Sequence, residues 1–344
     1  MKVDIRDFTL EELTSRIISM GEPAHRARQI FSWIYAKGAD SFDEMTDIPG
    51  SLAERMDSEY TIGCLKCAER LKSGDGTEKF LWRLDDGYNI ESVLIKEKKR
   101  RTLCLSTQVG CRYACRFCAS GKMGFKRDLR VGEITGQLLS VQKKSAQRIT
   151  NAVFMGMGEP LDNYPNLESS IKIMNDPLGI GLGARKITVS TCGIVPGIRR
   201  LMDIGLQVEL SVSLHAPTDG LRDELVPVNR RYPLEELIRT CAEYTQRTKR
   251  VITLEYTLIS QMNDSLECAD KLAGIAKRLA AKVNLIACNP SADTGATPPE
   301  AKRVRTFTDC LRSRGVNVTL RRSRGSDIMA ACGQLAARKR EQRR

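Results

Sequence analysis

From Thr102 onward the sequence alternates short apolar runs with amphipathic stretches, and that rhythm restricts the possible folds more than any other feature. Predicted strands are Leu103–Thr107, Ala152–Met157, Lys186–Thr191, Val208–Leu214, Ile252–Ile259, Val283–Ala287 and Val316–Arg321. Predicted helices lie between them, for example Val131–Lys144, Leu234–Thr245 and Leu266–Leu279. Strands that alternate with helices build βαβ units and a largely parallel sheet, which places the chain in the α/β class. Sheets of this kind carry their sites at the carboxyl ends of the strands.

Two different segments precede this core. Residues 1–60 are predicted to be helical, with one helix from Leu10 and another over Ala24–Tyr35, where Ile30, Phe31 and Ile34 form an apolar stripe. Residues 61–100 are predicted to form a small β unit. Its strand-like runs at Phe80–Leu84 and Ile90–Ile95 are punctuated by the turn signals Ser73-Gly74-Asp75-Gly76 and Asp85-Asp86-Gly87. The core then occupies 101–335, and 336–344 is a basic tail expected to be disordered.

The 344 residues hold 55 Lys and Arg against 42 Asp and Glu, a net charge of +13. That excess suits a polyanion, because neutralised phosphates release counterions, although a solvated basic surface is the plainer alternative. There is no run of about 18 apolar residues, and the N-terminus lacks the apolar stretch of a signal peptide. A cytoplasmic protein without a membrane partner is expected. In that reducing compartment twelve cysteines favour metal binding or redox chemistry over a disulfide framework.

Three of the twelve form Cys111-x3-Cys115-x2-Cys118 directly after the first core strand. Such a run arises by chance in roughly 0.015 of chains of this composition, so it calls for chemistry. Three thiolates on one loop fit a [4Fe–4S] cluster that keeps one iron open, whereas zinc needs a fourth ligand to close its tetrahedron. His215, the one histidine of the core, lies far along the chain, and zinc stays as the alternative. Cys64-x2-Cys67 has no second pair and reads as a surface hairpin. Cys192 reads as a packing thiol, and Cys241, Cys268, Cys288 and Cys310 as buried residues of core elements.

The three-cysteine spacing resembles the signature of the radical S-adenosylmethionine superfamily. That resemblance implies a partial (βα) barrel, with the helical head and the small β extension attached to it. The open iron would chelate the methionine moiety of S-adenosylmethionine, and cleavage of the sulfonium would give a 5′-deoxyadenosyl radical. Gly158 and Glu159 in Gly156-Met157-Gly158-Glu159-Pro160, Ser190, Ser213-Leu214-His215 and Asn289 all sit at or just past the ends of predicted strands and match the superfamily's cofactor contacts.

Five further stretches narrow the resemblance: Gln29–Tyr35, Ser41–Thr46, the cluster loop with Phe117-Cys118-Ala119, Phe154–Pro160 and Asp327–Leu335. Together they resemble the RlmN family, which methylates carbon 2 of adenine in 23S ribosomal RNA and, in some members, in transfer RNA next to the anticodon. The resemblance implies two S-adenosylmethionine molecules per turnover. Cys332 would take a methyl group from the first, and a radical made from the second would activate that methyl for addition to the base. Cys104 would resolve the resulting protein–RNA adduct through a transient disulfide with Cys332, and Glu91 would accept a proton. A one-electron donor such as flavodoxin and a monomeric enzyme are further implications. Read as plain sequence, Cys104 is a packed strand thiol, Cys332 lies in a small-residue segment and Glu91 is a solvent-facing strand residue.

Carbon 2 of adenine is not nucleophilic, so a thiolate that first takes the methyl splits a hard step into easier ones. The target adenosine must leave its stack before its edge is reached. Arg26, Arg28, Lys96–Arg101 and Arg321-Arg322-Ser323-Arg324 are available for the RNA backbone, while 5% aromatic content leaves little for stacking. Two alternatives stand beside this reading. One is the related enzyme that methylates adenine carbon 8 and confers antibiotic resistance; the other is a non-enzymatic RNA-binding protein with structural zinc.

Overall fold

A strand in a parallel sheet is covered on both faces, so it is apolar along most of its length, and this is what the seven predicted runs have in common. The computed structural model describes residues 2–290 and 294–337. The predicted tail therefore lies largely outside the described residues.

Ten strands form one sheet: β1 (Lys66–Lys72), β2 (Glu78–Arg83), β3 (Asn89–Glu97), β4 (Arg100–Cys104), β5 (Asn151–Phe154), β6 (Ile187–Thr191), β7 (Glu209–Ser213), β8 (Thr253–Leu258), β9 (Lys282–Ala287) and β10 (Val318–Arg321). Each strand neighbours its predecessor in the chain. Pairing is antiparallel from β1 to β4 and parallel from β4 to β10. The segment expected as a separate β unit is thus an antiparallel extension of the core sheet. Helices follow the parallel strands, among them α1 (Val131–Lys144), α2 (Tyr164–Asn175), α3 (Val195–Met202), α4 (Leu234–Thr248), α5 (Leu266–Arg278) and α6 (Ala301–Ser313).

The parallel part curls. Residues of β5 through β9 line one cavity, so the carboxyl ends of these strands converge on a common lumen. The result is a partial barrel. Inside β8 the lumen side alternates with the helix side: Leu254, Tyr256 and Leu258 are in the apolar core, while Glu255 and Thr257 reach the lumen. Alternation of this kind follows from the two-residue period of a strand.

The helical head has its own core. Leu13, Ile17, Ile30, Phe31, Ile34, Leu52 and Met56 are buried together, joined by Val131 and Ile173 of the barrel helices. Its first helix, Leu10–Ser19, opens with a capping box in which Thr9 and Glu12 satisfy each other's backbone amides. The head is tied to the barrel where Asp7 accepts from the backbone N–H of Gly132 at 2.8 Å, in the first turn of α1.

Candidate active site

At the carboxyl ends of β5 to β9 lies a cavity enclosing about 970 Å³, part of it open to solvent. Of the residues singled out in the sequence, Cys111, Cys115, Cys118, Gly158, Glu159, Ser190, Ser213, His215, Asn289 and Cys332 line it. Leu214, Cys104 and Glu91 do not. Leu214 is 1% exposed and packs in the apolar core, its backbone N–H donating to the carbonyl of Glu255.

The cysteine loop leaves the sheet after β4 and is held from several sides. Gly110 begins it with a positive φ of 74°, and a Cβ there would strike the carbonyl oxygen of Gly124. The Arg116 N–H donates to the Leu225 carbonyl, and the Ala119 N–H donates to the carbonyl of Gly333. Burial pushes the Cys111 thiol up to about 12 and raises Cys115 as well, so both stay protonated unless a cation stands beside them.

Glu159 closes the wall between β5 and β6. Its two oxygens accept from the backbone amides of Leu161 at 3.1 Å and Cys192 at 2.8 Å, and burial raises its pKa. The close approach made possible by Gly156 and Gly158 is to the backbone of Leu105 and the side chain of Gln108. These glycines therefore fit two strand ends against each other before any ligand enters.

Cys192, read from sequence as a packing thiol, lines the cavity and lends its backbone to the wall. Its carbonyl accepts from the fully buried Arg222 at 2.5 Å, which also donates to the Leu214 carbonyl and to Asn229 Oδ1. Replacing Arg222 with methionine would leave the Cys192 carbonyl and Asn229 Oδ1 without this donor, while the Leu214 carbonyl keeps the Ala216 N–H. Stability is expected to fall by roughly 3 kcal/mol or more, visible as a thermal transition lowered by several degrees.

His215 adopts a left-handed φ of 55° and packs edge-on against Phe117, with ring centroids 4.6 Å apart. Its Nδ1 accepts from the Thr257 N–H at 3.0 Å. Burial lowers its pKa to about 3, so it is a neutral ring that keeps its proton on Nε2.

Cys104 and Cys332, far apart in sequence, lie within electrostatic reach of each other. Cys104 is buried at the end of β4, where burial, and then the charge of Cys332, push it up to about 12. Cys332 is exposed at the cavity rim, yet protein surrounds its sulfur closely enough for burial to raise it too. Arg321 lowers both. All cysteines among the described residues are free thiols.

The segment carrying Cys332 is buckled to the β extension. Ser73 Oγ donates to Asp327 at 2.6 Å, the Gly325 N–H donates to Asp75 at 3.0 Å, and Lys79 Nζ donates to the Met329 carbonyl at 3.2 Å. Glu91, 1% exposed, pairs with Lys79 at 2.9 Å and accepts from the Ala336 and Ala337 amides at 2.9 and 3.1 Å. It is thus an internal anchor rather than a solvent-facing residue, because β4 covers one side of β3 and the C-terminal segment its end. Asn289 Nδ2 donates to the Cys332 carbonyl at 3.2 Å, and Gln334 Nε2 to the Pro290 carbonyl at 2.8 Å.

Sequence reasoning missed Glu255 and Thr257, although polar residues at every second position of an apolar strand mark a lumen-facing side. It also placed Cys268 and Cys310 as buried, whereas both are half-exposed on helix faces. Cys64 and Cys67 are exposed, and no group of three or more metal-binding side chains accompanies them among the described residues.

Residues 105–272 match the model of the radical SAM superfamily, and residues 3–62 match that of the ribosomal RNA large subunit methyltransferase N-terminal domain. A protein of Pelotomaculum thermopropionicum, named a probable dual-specificity RNA methyltransferase RlmN, is 45% identical over 336 residues, 97% of this chain and 91% of the relative. One of the same name from Geobacillus kaustophilus is 43% identical over 341 residues, 98% and 93% of the two chains. The chain belongs to the RlmN family of radical SAM methyltransferases. A solved radical SAM methyltransferase of Sphaerobacter thermophilus, 44% identical, superposes with a TM-score of 0.93 over 98% of this chain and all of the other.

Membership of the RlmN family makes the chain an enzyme, sets aside the non-enzymatic zinc reading, and implies an iron–sulfur cluster with S-adenosylmethionine. The residues fit that pair. Cys111, Cys115 and Cys118 all face the cavity, so three thiolates of one loop are available to hold a cluster there. Among the described residues no helix is long and apolar enough to cross a membrane.

Proposed function

We propose that this enzyme methylates carbon 2 of an adenosine in the peptidyl-transferase region of 23S ribosomal RNA and of the adenosine 3′ to the anticodon in transfer RNA. The observation that carries the reading is the pair Cys104 and Cys332, two thiols outside the cysteine loop within electrostatic reach of each other, with Cys332 lining the cavity. When bound, the cluster and two successive S-adenosylmethionine molecules supply a methyl group and a 5′-deoxyadenosyl radical. Cys111, Cys115 and Cys118 would hold the cluster, while Glu159, Ser190, Ser213, His215 and Asn289 offer polar groups to the cofactor along the cavity wall. Leu214 supports His215 from the core side.

Cys332 takes the methyl on its sulfur, and the activated carbon joins the adenine ring. Cys104 then attacks the Cys332 sulfur as its bond to carbon breaks; the carbon stays on the base and takes a proton to become methyl, and a disulfide remains for cellular thiols to reduce. Glu91 pins the segment that carries Cys332, so its expected part as proton acceptor requires this segment to lift. A low-potential one-electron donor of the flavodoxin type completes the requirements, and the enzyme works as a monomer.

Nucleoside mass spectrometry of ribosomal and transfer RNA from cells with and without the protein tests the reading. Loss of 2-methyladenosine from both RNAs supports it, and an 8-methyladenosine difference would assign the chain to carbon-8 chemistry instead. Anaerobically prepared protein should be brown with broad absorbance near ~400 nm.

The RNA backbone has a cationic edge to follow. Lys98, Lys99 and Arg100 are exposed at the turn between β3 and β4, and Arg322 is exposed beyond β10. Lys96 is instead spent on Glu78, and Arg324 pairs with Glu97 at 3.5 Å. Replacing Lys98, Lys99 and Arg100 with alanine should weaken RNA binding and flatten its dependence on log salt by roughly 2, measured by filter binding across a salt series.

A further inference from the structure

A lysine is almost never buried unless its charge is paired. Lys79, on β2, is 7% exposed. In the antiparallel register Lys79 stands opposite Val93 and Leu81 opposite Glu91, so Lys79 and Glu91 are diagonal neighbours on one face of the sheet. Their charged groups meet at 2.9 Å, away from solvent.

This one ion pair grips the carrier segment on both sides of Cys332. Upstream, Lys79 Nζ donates to the Met329 carbonyl at 3.2 Å. Downstream, Glu91 Oε2 accepts from the amides of Ala336 and Ala337. Met329 holds a left-handed φ of 53°, a conformation uncommon outside glycine that persists where the surroundings impose it. The barrel holds the middle of the segment, through Asn289 on the Cys332 carbonyl, the Ala119 N–H on the Gly333 carbonyl and Ser120 Oγ on the Leu335 carbonyl. Lys79 itself is not among the residues that line the cavity.

Resting on Cys332 as the methyl carrier, we infer that Lys79 is a positioning residue for that thiol. Its ammonium joins the two ends of the carrier segment through Glu91 and so sets where the Cys332 sulfur stands in the cavity. It acts through the segment and not on the cofactor. A reacting atom displaced by about 1 Å loses on the order of 10²-fold in rate, so a tie this far from the sulfur still governs transfer.

The experiment compares Lys79→Met, and Lys79→Met combined with Glu91→Gln, with the parent as cluster-loaded enzymes. In the single variant Cys332 methylation at saturating S-adenosylmethionine should slow about 10²-fold, read by mass spectrometry of the Cys332 peptide. The half-saturating S-adenosylmethionine concentration should stay within about threefold. Backbone amides of 330–337 should exchange with deuterium about tenfold faster, with those of β5 to β9 unchanged. The single variant also leaves Glu91 buried without its cation, which lowers the thermal transition. Glu91→Gln removes that charge, so the double variant should regain most of the stability but not the methylation rate, because the Met329 carbonyl is still unheld. It carries the same test should the single variant fail to fold. Methylation that returns with stability makes Lys79 merely structural and overturns the proposal. Unchanged exchange in 330–337, or a rate within about threefold of the parent, overturns it as well. A half-saturating concentration raised in step with the lost rate would assign Lys79 to the cofactor instead. Absence of Cys332 methylation in the parent would overturn the carrier reading itself.

Discussion

Cys332→Ala is expected to yield a folded, brown enzyme that transfers no methyl group to RNA. The loss should be on the order of 10³-fold or more, as when a covalent nucleophile is removed. The residue lies at the cavity rim, and its segment is seated by groups other than its side chain: the Asn289 amide on its own carbonyl, Gln334 on Pro290, and Glu91 on the Ala336 and Ala337 amides. Removing the sulfur therefore leaves these contacts and the three cysteines of the loop in place. Absorbance near ~400 nm checks the cluster. Nucleoside mass spectrometry of RNA after anaerobic reaction checks the product. Methylation at the parent's rate would remove the carrier mechanism.

The Cys104→Ala variant should fail later in the sequence, and visibly. Methyl transfer to Cys332 and addition to the base need no second thiol, so the adduct forms and has nothing to release it. A covalent protein–RNA species is expected to accumulate, seen on a denaturing gel as a slow band that nuclease collapses. Cys104 packs in the apolar core at 8% exposure, so its truncation costs on the order of 1 kcal/mol and leaves the fold intact. Normal turnover without the slow band would return Cys104 to a packing role.

The barrel was legible because its strands are short runs rich in buried apolar residues, separated by amphipathic helical stretches. Predicted and observed helices agree at Val131–Lys144, and the runs on β8 and β9 agree within a residue at each end. The first core strand is displaced: Leu103–Thr107 was expected, and Arg100–Cys104 is observed. Leu105 and Thr107 still donate backbone hydrogen bonds to Val153 and Met157, so the extended chain runs on past the regular ladder. The residues that line the cavity by motif were legible; Glu255 was not, since it belongs to no motif. The clasp between Ser73 or Asp75 and the Cys332 segment was equally hidden. A turn signal announces a turn, and a partner some 250 positions away leaves no local trace.

The buckle that seats Cys332 has a consequence for how such a chain changes over time. The lumen is built by β4 to β10, whereas the reactive thiol rides on a strip fastened to β1–β3. Ignition and delivery are therefore encoded in separate stretches of sequence. The strip also touches the cluster loop, where the Gly333 carbonyl accepts from the Ala119 N–H, so drift in the clasp re-aims the carbon only as far as that contact allows.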